Sequence, residues 1–355
     1  MANIKKIQQA MKAQGIEALL LSNEMDRLYA TDYFATDGTV LILSDQAYCI
    51  VDSRYIEAAQ AQVHDAQVIL TTKDNSPTDI MKQLLTQKGI TKVGAQEECM
   101  SYGEYLRTGE KLGVSLFGAQ ALTDTLREVE ERSEVDSIVA AQRIAEKALD
   151  HVLGIMQPGM TEKELAAELE YHMAKNGAQG LAFETICVAG ANTSLPHGVP
   201  SLSKLKAGDF ITMDFGCRIN GYCSDMTRTV ALGSASEEMR KVYDVVYRAQ
   251  VAACDAAIAG IVGKELDMVA RSIIENAGYG QYFGHSLGHS VGLFIHEAPN
   301  ASPKEERRLP AGAVITSEPG IYLPGKFGVR IEDMLYLTET GAENLTKAPK
   351  NLIIV

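Results

Sequence analysis

Two aspartates sit on opposite arms of a short apolar hairpin, Asp214 and Asp225 in "MDFGCRINGYCSDMTRT" (213–229). Burying an ionised carboxylate costs several kcal/mol unless a positive charge compensates it. Asn220-Gly221 is the residue pair of a type I′ turn. With that turn, residues whose numbers sum to 441 face each other, so Asp214 opposes Thr227 and Asp225 opposes Gly216. Asp214 and Asp225 then share one face of the hairpin as diagonal neighbours, roughly 7 to 8 Å apart at Cα. Convergent carboxylates at that spacing repel each other unless a cation lies between them.

The same pattern recurs about a hundred residues later. "PGMTEKELAAELEYHMAKNG" (158–177) aligns with "AGIVGKELDMVARSIIENAG" (259–278), and "HGVP" (197–200) with "HEAP" (296–299). "LKAGDFITMDFG" (205–216) aligns with "LPAGAVITSEPG" (309–320), and "GYCSDMTRT" (221–229) with "GVRIEDMLY" (328–336). Four matches in one order at offsets of 99 to 107 point to an internal duplication. It superposes Asp214 on Glu318, Asp225 on Glu332 and His197 on His296. Two halves related by a pseudo-twofold axis are expected, each giving helices and a hairpin to a shared sheet. Thr227 and Arg330 have the parity to point the same way as Asp225 and Glu332.

Four carboxylates and an imidazole form a hard, oxygen-rich ligand set, better suited to Mn²⁺, Fe²⁺ or Co²⁺ than to structural zinc. Four negative charges balance two divalent ions, and paired ions serve hydrolysis by activating water and polarising a carbonyl or phosphoryl oxygen. The imidazole is expected from "GHSLGHSVGLFIHE" (284–297), which holds His285, His289 and His296. The glutamate of an H-E-x-x-H helix is missing there, and Gly284, Gly288 and Gly292 predict a loop or strand instead.

The elements that must position these groups fall into two parts. At 355 residues, two domains are expected. Residues 1–123 alternate helical and strand signals: a helix in "IKKIQQAMKAQ", a strand in "IEALLLS", two strands in "GTVLILSDQAYCIVDSRY", a capped helix in "SPTDIMKQLLTQKG" and a strand in "KVGAQE". A charged stretch near 124–134 leads into a long helix and opens the second domain, 124–355. Hydrophobic residues at 46% and charged residues at 22% describe a soluble globular chain, and no apolar run is long enough to span a bilayer. The N-terminus lacks the apolar core of a secretory signal. A net charge of −13 excludes a general nucleic-acid binder. The six scattered cysteines read as reduced, which places the protein in the cytoplasm.

The motifs "LPHGVP", "MDFG", "SDMTRT", "GHSLGHSVGL" followed by "HE", "SEPGIY" and "GVRIED" resemble the pita-bread metallopeptidase family, which includes methionine aminopeptidase, aminopeptidase P and prolidase. "GTVLIL" and "VDSRY" resemble the creatinase-type N-terminal domain of its proline-specific members. The implied fold is an α/β N-terminal domain plus an α+β C-terminal pita-bread domain with an internal pseudo-twofold duplication. The resemblance implies a dinuclear site with Asp214, Asp225, His289, Glu318 and Glu332 as ligands, Asp225 and Glu332 bridging. It implies that Glu318 handles the proton of the attacking water, and that His197 and His296 contact substrate and stabilise the tetrahedral intermediate. The expected cofactor is a pair of divalent ions, manganese first, with cobalt, iron or zinc as alternatives. Position 290 is Ser where the family usually has Gly, and position 294 is Phe where an acid is common. Phe294 either lines an apolar pocket or packs in the core.

The implied activity is hydrolysis of the bond between an N-terminal residue and proline, a tertiary amide that ordinary peptidases fit poorly. The N-terminal domain argues against methionine aminopeptidase and favours an Xaa-Pro aminopeptidase, with an Xaa-Pro dipeptidase as the alternative. Arg330 either binds a substrate carboxylate or salt-bridges an acid ligand. The retained ligands argue against a metal-free creatine hydrolase and against a non-catalytic adaptor. The expected partners are a peptide with proline second and another copy of the chain in a homodimer, with neither nucleic acid nor membrane. "VDSRY" is either part of that contact or a salt-bridged surface turn.

Overall fold

Short β-branched and leucine-rich runs separated by turn residues become the strands of the first part of the chain. They are β1 (Ala18–Leu21), β2 (Thr39–Leu43), β3 (Ala47–Val51), β4 (Gln67–Leu70), β5 (Lys92–Ala95) and β6 (Ser115–Gly118), hydrogen-bonded in the order β4-β3-β2-β1-β5-β6. The protein's structure, a computed structural model, describes residues 3–355 and divides into a unit ending at Arg127 and a unit Glu128–Val355. Helices α1 (Ile4–Ala13), α2 (Glu24–Thr31), α3 (Ile56–Gln62), α4 (Pro77–Lys88), α5 (Tyr102–Leu112) and α6 (Gln120–Arg127) complete the first unit. The division expected after residue 123 falls inside α6, and the units part at that helix's end. α4 starts where Ser76 and Asp79 cap each other and stops at Gly89, which adopts a left-handed conformation. The "VDSRY" turn is a surface ion-pair cluster, with Arg54 2.7 Å from Asp37 and 2.6 Å from Asp52.

The second unit is built as two similar halves, each opening on a helix pair and continuing into a long hairpin. Its first half holds α7 (Arg132–Ile155), α8 (Glu162–Lys175), β7 (Ile186–Ala189), β8 (Phe210–Phe215), β9 (Arg218–Ile219), β10 (Tyr222–Cys223) and β11 (Met226–Ala231). Its second half holds α9 (Glu237–Ala256), α10 (Gly263–Asn276), β12 (Gly288–Ser290), β13 (Glu297–Ala301), β14 (Val314–Ser317), β15 (Gly320–Leu323), β16 (Phe327–Arg330), β17 (Asp333–Thr338) and β18 (Gly341–Asn344). Each helix pair buries an apolar stripe at helical spacing. Ala141, Ala145, Leu149 and Val152 of α7 pack with Leu165, Leu169 and Met173 of α8. Val242, Val246, Ala249 and Ala253 of α9 pack with Leu266, Ala270 and Ile274 of α10. Each fully buried leucine or valine contributes roughly 1.5–3 kcal/mol.

Both long hairpins keep a constant register along their length and break at one place. In the first, Phe215 pairs with Met226 and Ile219 with Tyr222, all pairs summing to 441. The turn between them is Asn220–Gly221, both with positive φ (52° and 84°). In the second, Ser317 pairs with Asp333 and Gly320 with Arg330, all summing to 650. The ladders are interrupted at 216–217 with 224–225, and at 318–319 with 331–332. Asp225, Glu318 and Glu332 occupy the interruptions. The halves do not share one continuous sheet: β11-β8-β7 and β13-β12-β14-β17-β18 are separate ladders. They are stitched at the breaks, where the Glu332 N–H donates to Thr227 O (3.1 Å).

The segment beyond β18 closes this seam from behind. Arg228, 1% exposed, spends all five N–H donors: on Pro349 O (2.9 Å), Ala348 O (2.7 Å), Thr227 O (2.9 Å), Glu332 O (2.6 Å) and Asp333 Oδ1 (2.8 Å). Asp333 Oδ2 accepts from Gln250, Asn344 and Lys350 (3.1, 2.7 and 2.9 Å). Ile353 and Val355 then pair with Ala231 as a parallel edge. Among the described residues all six cysteines are free, and no helix is long and apolar enough to cross a membrane.

Candidate metal centre

The breaks in the two hairpins open into a cavity of about 620 Å³ lined by Asp214, Asp225, Glu318 and Glu332, by His197, His285, His289 and His296, and by Arg330. Every site residue expected from the sequence thus lies in one place. Asp214 comes from β8, Asp225 precedes β11, Glu318 follows β14 and Glu332 precedes β17. His289 lies on β12, so of the loop or strand expected for the glycine-rich stretch it is a strand at this point. One ligand atom each from Asp225, His289 and Glu332 lie within 4.8 Å of one another. His289 Nε2 is 3.6 Å from Asp225 Oδ2 and 3.4 Å from Glu318 Oε1.

The protonation pattern of this cluster is unfavourable as it stands. His289 Nδ1 lies 3.1 Å from Ser290 O, which can only accept, so that ring nitrogen carries the proton. Burial lowers the His289 pKa to about 4, so the ring is neutral and Nε2 presents a lone pair to two carboxylate oxygens. Burial, with Asp214 and Glu318 adding repulsion, holds Asp225 well above the usual carboxylate range. Glu332 is raised likewise by burial and by Asp225, and burial lifts Glu318 to about 8 despite the nearby Arg330 guanidinium. Asp214 Oδ1 is buried with no hydrogen-bond partner. Divalent cations would give the Nε2 lone pair, the orphaned oxygen and the mutually repelling acids a common partner, so the donor set fits hard, oxygen-preferring ions.

The groups behind the acids fix their orientation. Thr227 Oγ1 donates to Glu332 Oε2 (2.7 Å) and accepts from Arg330 Nε (3.1 Å). Arg330 is buried and also donates to Asp214 Oδ2 (2.6 Å), Tyr322 (2.8 Å) and Pro196 O (3.3 Å). Of the two roles open to Arg330 in the sequence, the geometry favours the salt bridge to an acid. His285 Nδ1 donates to Ser286 O (2.8 Å), so its Nε2 accepts from the Tyr322 hydroxyl (2.9 Å). A continuous hydrogen-bond chain therefore links Asp214, Arg330, Tyr322 and His285, with Arg330 donating to both Asp214 and Tyr322 and Tyr322 donating to His285. Burial lowers the His285 pKa to about 4, which keeps that acceptor available.

The sequence alone does not mark Tyr322 or Thr316 as parts of the site. Thr316 Oγ1 accepts from the His289 N–H (3.1 Å) and donates to Glu318 Oε1 (3.3 Å). A signal for Tyr322 existed: Arg330 pairs across the ladder with Gly320, a residue with no side chain. A Cβ at Gly320 would come within 2.5 Å of the Tyr322 hydroxyl, so glycine there makes room for the tyrosine to reach the guanidinium.

On the open side, His197 and His296 face the cavity, and the His296 ring meets His289 edge-on with centroids 4.4 Å apart. Both are solvent-accessible. The apolar wall is made by Phe183, Ile186, Val199 and Ile295. Phe294 is half-buried beside this wall and is not among the described residues that line it.

Comparison with known proteins places these observations. Residues 136–339 match metallopeptidase family M24, and residues 3–129 match the Creatinase/Prolidase N-terminal domain. The solved structure of an Xaa-Pro dipeptidase from Bacillus anthracis is similar at a TM-score of 0.96, with 38% identity over 99% of each chain. An X-Pro aminopeptidase structure from Thermotoga maritima is similar at a TM-score of 0.93, with 37% identity over 98% of this chain and 100% of that one. An Xaa-Pro dipeptidase of Pyrococcus furiosus is 37% identical over 99% of both chains.

Proposed function

The chain belongs to metallopeptidase family M24 and is a peptide hydrolase, and we propose that it cleaves dipeptides of the form Xaa-Pro. The observation that carries the proposal is full-length similarity, at 36–38% identity, to proteins named Xaa-Pro dipeptidase, joined to a cavity whose acids converge on one point. The N-terminal domain, which in sequence favoured the aminopeptidase, does not discriminate: relatives of both names match the chain over its whole length. The Thermotoga maritima neighbour keeps the Xaa-Pro aminopeptidase as the second reading.

In this proposal Asp214, Asp225, His289, Glu318 and Glu332 hold two divalent cations, with manganese the first to test. When bound, the cations supply Lewis acidity and make water acidic enough to attack near neutral pH. Glu318 Oε1, beside the cluster, takes the proton of the attacking water and delivers it toward the proline nitrogen. His197 and His296 place ring N–H donors toward the oxygen that becomes negative in the tetrahedral intermediate. Arg330 and Thr227 hold Asp214 and Glu332 at fixed angles, so no carboxylate has to reorient during turnover. Phe183, Ile186 and Ile295 give the substrate an apolar seat. We place the protein in the cytoplasm on its free cysteines, and assign it a homodimeric state.

The test is hydrolysis of a matched pair, Leu-Pro and Leu-Pro-Gly, by manganese-loaded protein with a chelated control. Turnover of the dipeptide, absent after chelation, is expected. Turnover of the tripeptide alone would establish the aminopeptidase instead, and silence on both would remove the proline specificity.

A further inference from the structure

One acid of the cavity is used by nothing described so far. Asp214 is paired with Arg330, and Asp225, Glu318 and Glu332 converge with His289. Glu184 also lines the cavity, is exposed, and forms neither a hydrogen bond nor an ion pair with any described residue. It lies on a firmly held stretch of chain. On one side Leu181 bridges to Cys217, and the Ala182 N–H donates to Gly216 O (3.0 Å). On the other, Thr185 is buried and Ile186 enters β7 directly opposite Asp214. A carboxylate on such a stretch is presented at the mouth of the cavity rather than swept through solvent.

We propose that Glu184 determines specificity by receiving a cationic side chain on the residue that precedes proline, so that Arg-Pro and Lys-Pro are preferred substrates. The inference rests on the dipeptidase reading above. The walls on either side of Glu184, Phe183 and Ile186, are apolar and match the methylene stem of lysine or arginine, while the exposed carboxylate meets the charged end. The α-ammonium group sits two bonds from the scissile carbonyl and so belongs near the buried acids. Only a long side chain reaches outward to an exposed one. With Arg330 committed to Asp214, Glu184 is the cavity-lining acid that has no ion-pair partner among the described residues, and the nearby Arg218 guanidinium donates to the carbonyls of Leu181 and Ala182.

The experiment compares kcat/KM for Arg-Pro, Lys-Pro, Leu-Pro and Glu-Pro between the manganese-loaded wild type, Glu184→Gln and Glu184→Lys. An ion pair at a solvent-accessible rim changes such ratios by about 1.5- to fivefold. The expected result is that the Arg-Pro to Leu-Pro ratio falls by that factor in Glu184→Gln, and that Glu184→Lys raises the Glu-Pro to Leu-Pro ratio. Raising the ionic strength from 0.05 to about 0.5 M should lower the wild-type Arg-Pro to Leu-Pro ratio and leave that of Glu184→Gln flat. Equal ratios in wild type and Glu184→Gln, with Leu-Pro turned over, would overturn this inference alone. Wild-type silence on all four dipeptides would overturn the dipeptidase reading and this inference with it.

Discussion

Replacing Asp225 by Asn tests whether the cluster is built around cations, because it should move stability in opposite directions with and without metal. Asp225 is buried, and its carboxylate lies within 4.8 Å of a Glu332 oxygen. Two unit charges at that distance repel by about 3.5 kcal/mol at an effective dielectric constant of 20. Proton uptake by the wild-type cluster relieves part of this, so deleting one charge should stabilise metal-free protein by about 1–3 kcal/mol. For a unit of this size that is a rise of roughly 2–10 °C in Tm. Metal binding acts the other way. Ions present at 1,000 times their Kd stabilise the wild type by about 4 kcal/mol each, and a variant lacking a shared ligand should forfeit most of that. The assay is thermal unfolding of both proteins in excess chelator and in manganese, with hydrolysis of Leu-Pro alongside. The expected pattern is a variant that melts above the wild type in chelator, below it in manganese, and turns over at less than about 0.1% of the wild-type rate. A variant that melts lower than the wild type without metal, or gains as much from manganese, would refute the reasoning.

Two further outcomes follow from buried groups outside the acid cluster. Arg228→Met leaves Asp333, itself buried, without its guanidinium and strips donors from four carbonyls, so urea denaturation should show a loss of at least about 3–5 kcal/mol. His285 titrates near 4 in the folded chain against about 6.5 when unfolded, so between those values the unfolded state binds the extra proton. Stability should therefore be complete above pH 6.5 and fall toward pH 4 by up to about 1.4 kcal/mol per pH unit. His285→Phe should flatten that part of a stability-against-pH curve measured by urea melts, and an unchanged slope would show that this ring does not titrate as described.

The parts of the fold legible in the sequence were those governed by local rules. Asn220-Gly221 dictates a two-residue turn, and a two-residue turn dictates register, so the pairing of Asp214 with Thr227 follows from the sequence alone. The duplication carried that inference to the second half, where loop length could not. What stayed hidden depends on contacts across long separations. The Tyr322 hydroxyl meets His285 from 37 residues away and Arg330 across a missing side chain. The Arg228–Asp333 pair spans 105 residues, and charged residues read on a strand are ordinarily expected at the surface. The expectation of one sheet shared by both halves failed for a related reason: alternation predicts that strands pair, but not that both ladders break where the carboxylates must turn inward.

The anchoring of the chain beyond β18 sets an order of events during synthesis. The strand that follows Glu332 is clamped through Arg228 to Ala348 and Pro349 and through Asp333 to Lys350, and the edge of β11 is completed only by Ile353 and Val355. Twenty residues separate Asp333 from Ile353, roughly 1–4 s of translation. Until they emerge, Arg228 and Asp333 lack those partners, and Glu332 is held opposite β11 by Thr227 and Arg228 alone.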